Sequence, residues 1–147
     1  MKLASRFSRI TATVIDIIAV SGITGIVLFP FLVFKIGVSL SLFWHQVIIA
    51  ILGLIIFVLL NKKSLLRNGQ TLGKEVLKIK ITDLEYSLPS KNNMVKRYLV
   101  LFLPSYIPFI GTWLSVINCL FIFREDKRCI HDIVGKTIVV EVENLNL

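Results

Sequence analysis

The chain is poor in the side chains that most catalytic and metal sites need. It has two cysteines and two histidines in 147 residues, and nine acidic groups against seventeen basic ones. Cys119 lies in an apolar block and Cys129 in a basic stretch, without metal-site spacing or a disulfide framework, so they read as a packing residue and a free thiol. No H-E-x-x-H, G-x-S-x-G or acidic cluster occurs, which removes the usual starting points for metal-assisted or nucleophilic hydrolysis. The net charge of +8 has no compact basic domain, zinc signature or aromatic platform to direct it at a nucleic acid. Repeats and low-complexity tracts are lacking too. No enzyme, cofactor, metal or nucleic-acid partner is expected.

What the chain has instead is apolar length. Its hydrophobic share is 55% and its mean hydropathy +0.80, above the roughly 45 to 50% of soluble domains. The apolar residues form long uncharged blocks, the pattern selected by a bilayer core. Residues 10–34 can cross a membrane at about 1.5 Å per residue, with Asp16 as their one charge and Pro30 near the far end. Lys2, Arg6 and Arg9 precede this run as they would in a signal peptide, but the run is too long for one and carries Asp16, so a span is the better reading. Residues 43–60 are just long enough for a second span, with Trp44 and His45 at one end and Asn61, Lys62 and Lys63 at the other. A short connection containing Lys35 joins the two.

Three Lys or Arg residues precede the first span, one lies between the spans, and nine fall in residues 61–97. By the positive-inside rule the N-terminus and the 61–97 segment are cytoplasmic. The third block, residues 98–123, is uncharged but interrupted by Pro104, Pro108 and Gly111, so it is expected to be two pieces. One broken span would put the C-terminus outside; a re-entrant or inclined hairpin would return it to the cytoplasm. Arg124, Lys127 and Arg128 favour the return. The expected architecture is an all-α membrane protein forming a single domain over 1–147, with a C-terminal segment over 124–147. Two short alternating stretches qualify that class. Leu77, Ile79 and Ile81 alternate with Lys78, Lys80 and Thr82, and Ile138, Val140 and Val142 with Val139, Glu141 and Glu143. If these cytoplasmic strands pair, Lys78 and Lys80 would lie opposite Glu141 and Glu143. The polar stretch from Pro89 to Asn93 reads as a loop.

Asp16 is the most informative residue, because a carboxylate at the centre of a spanning helix costs about 2.5 to 3.5 kcal/mol and needs a partner, a proton or water. Arg9 lies seven residues earlier on nearly the same helix face, with Ala12 between them and Ala19 beyond. This polar, small-residue stripe is expected to face other helices. It reads either as a buried packing anchor or as a protonatable or cation-coordinating site. Gly69-Gln70-Thr71-Leu72-Gly73-Lys74-Glu75 fails the phosphate-loop pattern, with three residues between its glycines and Glu75 after the lysine. It is expected to form a turn into a short interfacial element, with Lys74 toward headgroups. His131-Asp132 has no nucleophile near it in sequence, and is expected to form a cap placing Asp132 near Arg9 or another cation.

These residues carry a family resemblance. The stretch from Arg9 to Asp16, the glycine-rich run Gly69-Gln70-Thr71-Leu72-Gly73-Lys74 with Leu77 to Ile81 after it, and His131-Asp132-Ile133-Val134-Gly135-Lys136-Thr137 resemble, in order and spacing, three motifs of the RDD family of membrane proteins. The match runs from about Arg6 to Val142, with Gly135 and Lys136 departing from the usual Ala and Gly. The resemblance implies that Arg9, Asp16 and Asp132 are the defining Arg and two Asp. Gly69, Gln70, Thr71, Gly73, Lys74 and His131 follow as secondary candidates. The family's molecular role is generally unassigned, with transport of undefined ligands, including cation/proton exchange, suggested for some members. Two functions follow as expectations. One is transport of protons, monovalent cations or another small ligand through Asp16, tuned by Arg9 and Asp132 in a homo-oligomer. The other is a non-enzymatic module that assembles with other membrane proteins or anionic lipid headgroups. Either would act in a bacterial inner membrane, with the N-terminus, and by expectation the C-terminus, in the cytoplasm.

Overall fold

In the computed structural model, residues 1–34, 42–107 and 110–142 are described. The expected Lys35 connection, Pro108 and Glu143 lie outside them. Helix α1 (Arg6–Val33) begins where the Ser5 hydroxyl accepts the Ser8 amide, satisfying one donor that the first turn leaves open. Three of its hydroxyls bond back to their own helix, Thr13 to the Arg9 carbonyl, Ser21 to that of Ile18 and Thr24 to that of Val20, so they add little polarity to the apolar run. Helix α2 (Leu42–Asn68) continues eight residues beyond the expected end of the second span. The Lys62-Lys63 pair does not stop a helix; Gly69 does. It adopts a left-handed conformation (φ 68°), donates to the Leu65 carbonyl and accepts from Ile81, and a methyl group there would overlap the Ile81 carbonyl.

Both long helices are apolar enough to cross a membrane. Only 11% and 17% of their most apolar windows are buried, so neither is the core helix of a soluble fold. The packed core lies at one end of the molecule. There Ala4, Ala12, Ile79, Ile81, Met94 and Val139 are buried together, with Leu65, Leu77 and Tyr98 against them. Strands β1 (Ile79–Asp83) and β2 (Thr137–Glu141) form an antiparallel ribbon, and residues 2–4 extend it through hydrogen bonds from Ala4 to Val139 and from Glu141 to Lys2. The register differs from the charge-matched one. Lys80 faces Val140, and Glu141 faces Ile79. Burying Ile79, Ile81 and Val139 is worth several kcal/mol, against a few tenths for each exposed Lys–Glu pair, so the apolar faces decide the register.

The apolar stretch from 98 onward is divided into two helical pieces. Helix α4 (Lys91–Phe102), capped by the Ser90 hydroxyl on Asn93, runs into a 3-10 turn at Leu103–Tyr106; α5 (Ile110–Leu120) then leads to a second such turn at Phe121–Phe123. α4 thus begins two residues inside the stretch expected to be a loop. The Arg6 guanidinium donates to the carbonyls of Ile122, Phe123 and Arg124, so the far end of the stretch lies beside the start of α1. Short helices α3 (Leu72–Val76) and α6 (Ile130–Val134) complete the packed end.

Candidate functional site

Two polar clusters sit where the long helices enter the packed end. The first is built on Asp16. Helix α3 opens with Thr71 at its N-cap position, but the Thr71 side chain does not cap it. The open amides are taken by the long helices instead. Asn61 Oδ1 of α2 accepts the Leu72 amide at 2.8 Å, and Asp16 Oδ1 of α1 accepts the Gly73 amide at 2.7 Å. Asp16 Oδ2 accepts the Thr71 hydroxyl at 2.6 Å. A carboxylate facing the amide end of a helix is favourable both as a hydrogen-bond acceptor and as a charge. The approach requires glycine at 73, because a methyl group there would overlap the Ala12 carbonyl. Glycine and alanine in contact bring the α1 backbone within reach of α3.

Lys74 lies inside this cluster and does not point toward headgroups, as the sequence had implied. It is 8% exposed, and its Nζ is 3.3 Å from Thr71 Oγ1 and 4.0 Å from Asp16 Oδ2. The buried carboxylate draws it inward. Burial, and then the neighbouring Arg97, push the Lys74 ammonium down to about 8, against the pull of Asp16. The cluster forms the floor of a cavity of about 650 Å³ between α1, α2, α4 and α5, within the usual size range of small-ligand pockets. Along α1 the lining extends from Thr13 to Leu28, about 22 Å at 1.5 Å per residue. Its walls are apolar apart from a few hydroxyls, including those of Thr13, Ser21 and Ser115.

The second cluster is built on Asp132, which is fully buried. Its Oδ2 accepts from the Arg9 guanidinium and from the Cys129 amide, and its Oδ1 accepts from Arg97. Arg97 Nη1 also donates to Thr137 Oγ1 at 2.7 Å, and Arg9 to the Lys127 carbonyl. Asp132 thus ties α1, α4, α6 and β2 together across 123 residues of sequence. Arg9 turns to Asp132, and Asp16 turns to α3. The three defining residues therefore divide between two clusters and do not meet at one point. The expected Arg9–Asp16 stripe is buried at Arg9, Ala12 and Asp16, but it serves two different partners.

His131 is held beside this cluster. Its amide donates to Asn118 Oδ1 at 3.1 Å, which identifies that atom as the oxygen, so His131 Nδ1, 3.0 Å away, must carry the proton. Burial first, then Arg97, Arg9 and Lys74, push the imidazole down to about 2. His131 is therefore neutral at physiological pH, and its Nε2, 3.8 Å from Asp132, makes no ion pair there. Cys129, His131 and Asp132 bring possible ligand atoms within 4.8 Å of one another. They make a poor cation site: both Asp132 oxygens are occupied by guanidinium groups, and burial pushes the Cys129 thiol up, keeping it protonated.

Gly69 and Gln70 act on the backbone, Gln70 through a hydrogen bond from its side-chain amide to the Ile79 carbonyl at 3.0 Å. Sequence reasoning missed Asn61, Arg97, Asn118 and Thr137. Two of these carried a readable signal. Arg97 stands immediately before its apolar block, as Arg9 does, and Asn118 is a lone amide within one. No curated protein and no solved structure matches the chain. The family model described as the RDD family matches residues 3–136, taking in both long helices, the Asp16 cluster and, apart from Thr137, the Asp132 cluster. The chain is a membrane protein of the RDD family.

Proposed function

We propose that the protein exchanges protons for small monovalent cations across the membrane, with Asp16 as the cation-binding carboxylate and Lys74 as the group that gives up the proton. The observation that carries this reading is the buried Asp16–Lys74 pair on the floor of the cavity, 4.0 Å apart. Lys74 is the internal counter-charge of Asp16. A cation arriving through the cavity competes for the same carboxylate, and occupancy is electrically neutral if Lys74 releases one proton as one cation binds. With Lys74 at about 8, that release at neutral pH costs on the order of 1 kcal/mol, which a cation–carboxylate contact offsets. The hydroxyls of Thr13 and Thr71 supply further oxygens for a desolvated cation.

In this reading the packed end and both ends of the chain face the cytoplasm of a bacterial cell. The stretch over 98–123 is a hairpin that enters and leaves on that side. The basic residues of 61–97 support it, as does the contact of Arg6 with the carbonyls of residues 122–124. Two spanning helices cannot surround a pathway, so the exposed apolar faces of α1 and α2 are read as contacts with further copies or with other membrane proteins.

The test is proton flux driven by a sodium or potassium gradient in liposomes holding the purified protein and a trapped pH dye. Wild type acidifies or alkalinises the lumen according to the direction of the gradient. Asp16→Asn, which keeps an acceptor for the Gly73 amide, abolishes the flux, and Lys74→Gln uncouples it from protons. Flux that survives Asp16→Asn removes this mechanism. The second reading, a non-enzymatic assembly module, rests on the engagement of both Asp16 oxygens by the α3 region, Oδ1 by the Gly73 amide and Oδ2 by the Thr71 hydroxyl. It gains if wild type carries no flux and Asp16→Asn lowers only the yield of folded protein.

A further inference from the structure

A second cavity, of about 340 Å³, lies between the end of α2, the Gly69-Gln70 turn, β1 and the turn that follows β1. Arg67 and Lys80 line it, and no carboxylate does. Among the described residues neither cation makes an ion pair. Of the acids next to its lining in sequence, Asp83 is already occupied, accepting the amides of Glu85 and Ser87 and the Ser87 hydroxyl, and Glu85 and Glu141 do not line the cavity. Thr82 also lines the cavity. It is 2% exposed, and its Oγ1 has no hydrogen-bond partner among the described residues, although a buried hydroxyl is normally satisfied. The floor is fixed, since the Ile81 amide donates to the Gly69 carbonyl at 2.7 Å and ties β1 beneath the end of α2.

We propose that this cavity binds a phosphate group. Two cations that make no ion pair among the described residues, an orphaned buried hydroxyl and the Tyr86 side chain surround one space, a donor set that suits an anion. A tetrahedral dianion uses both charges and several donors at once. A carboxylate offers one charge and two oxygens, and satisfies this set less well. Lys74 and Asp16 do not line this cavity, so the site stands independently of the cation pathway. The same chemistry is available from a free phosphate compound and from a phospholipid headgroup.

The full-length protein in neutral detergent is titrated calorimetrically with inorganic phosphate. In parallel, nanodiscs of phosphatidylcholine with and without phosphatidic acid report lipid capture. Binding of inorganic phosphate in detergent identifies a soluble source; binding confined to phosphatidic acid identifies the headgroup. In whichever arm binds, Thr82→Val and Lys80→Gln each weaken affinity about tenfold or more, and acetate does not compete. Arg67 is exposed, so Arg67→Gln tests the site even if the other two variants fail to fold, and it also weakens binding. Absence of binding in both arms overturns the proposal. So does an affinity unchanged in Arg67→Gln and in every other variant that folds.

Discussion

Removing the charge of Asp132 should be the most damaging conservative change in the chain. Asp132→Asn keeps the shape but offers one oxygen where there were two. If its amide group replaces Oδ1 it meets Arg97, and if it replaces Oδ2 it meets Arg9 and the Cys129 amide, donor against donor in either case. The residues concerned are 0%, 7% and 3% exposed, so water cannot replace the lost acceptor for Arg9 or Arg97. Breaking a buried ion pair by removing one partner costs about 3 to 5 kcal/mol, and here a single carboxylate serves two guanidinium groups. At about 2 to 4 °C per kcal/mol for a chain of this size, the unfolding temperature should fall by roughly 6 to 20 °C. The assay is the fraction of monodisperse protein recovered by size exclusion after heating in one detergent. Adding Arg97→Gln to the Asp132→Asn background removes one stranded cation, so the double variant should lose less than the sum of the two singles. A fall of less than about 2 °C for Asp132→Asn, or strict additivity in the cycle, would refute the view that Asp132 holds the packed end together.

Gly73→Ala should separate α3 from α1, because its methyl group would overlap the Ala12 carbonyl. About 1 to 3 kcal/mol of stability is expected to be lost, whereas Gly25→Ala, with nothing within 4 Å, should be near neutral or slightly stabilising. Thermal unfolding of the two variants side by side checks this. His131 should make the protein acid-sensitive. Its folded value, about 2, lies below the ordinary 6.5, so below pH 6.5 the unfolded chain takes up a proton that the folded chain refuses. Its contribution is therefore fully present above pH 6.5 and is lost as pH falls through the window toward 2, with a slope of up to about 1.4 kcal/mol per pH unit. Unfolding temperature measured against pH should be flatter between 6.5 and 4 in His131→Gln than in wild type. Equal slopes would show that His131 is not the titrating group.

How much of this was legible in the sequence follows from the range of each interaction. Hydropathy is local, so the apolar blocks announced two helices long enough to span a membrane, and the lone carboxylate within one of them marked Asp16 as a residue that had to find a partner. The proline and glycine interruption marked where the third stretch divides into two helical pieces, α4 with its 3-10 turn and α5. Helix ends were less legible: Lys62 and Lys63 marked a change of solvent without ending α2, which a backbone requirement at Gly69 did. The register of β1 on β2 escaped charge matching, because burial of Ile79, Ile81 and Val139 on α1 and α4 outweighs exposed ion pairs.

Partner choice was legible only in part: Asp132 was expected beside Arg9 or another cation, and Arg9 does donate to it, but the partners of Asp16 and Lys74 were not readable. Arg9 and Asp16 share a helix face that was expected to meet other helices, and each bonds there to a group far along the chain. Asp132 is 123 residues from Arg9, and Gly73 is 57 from Asp16. By itself the sequence determined which segments leave water and which charges must be compensated, because transfer free energies depend on composition and length. Only the tertiary structure decided that α3 caps itself on Asp16, that Lys74 turns inward, and that Arg97 shares Asp132 with Arg9. Hydrogen bonds and ion pairs reach only a few ångströms, and only the folded chain brings these groups that close.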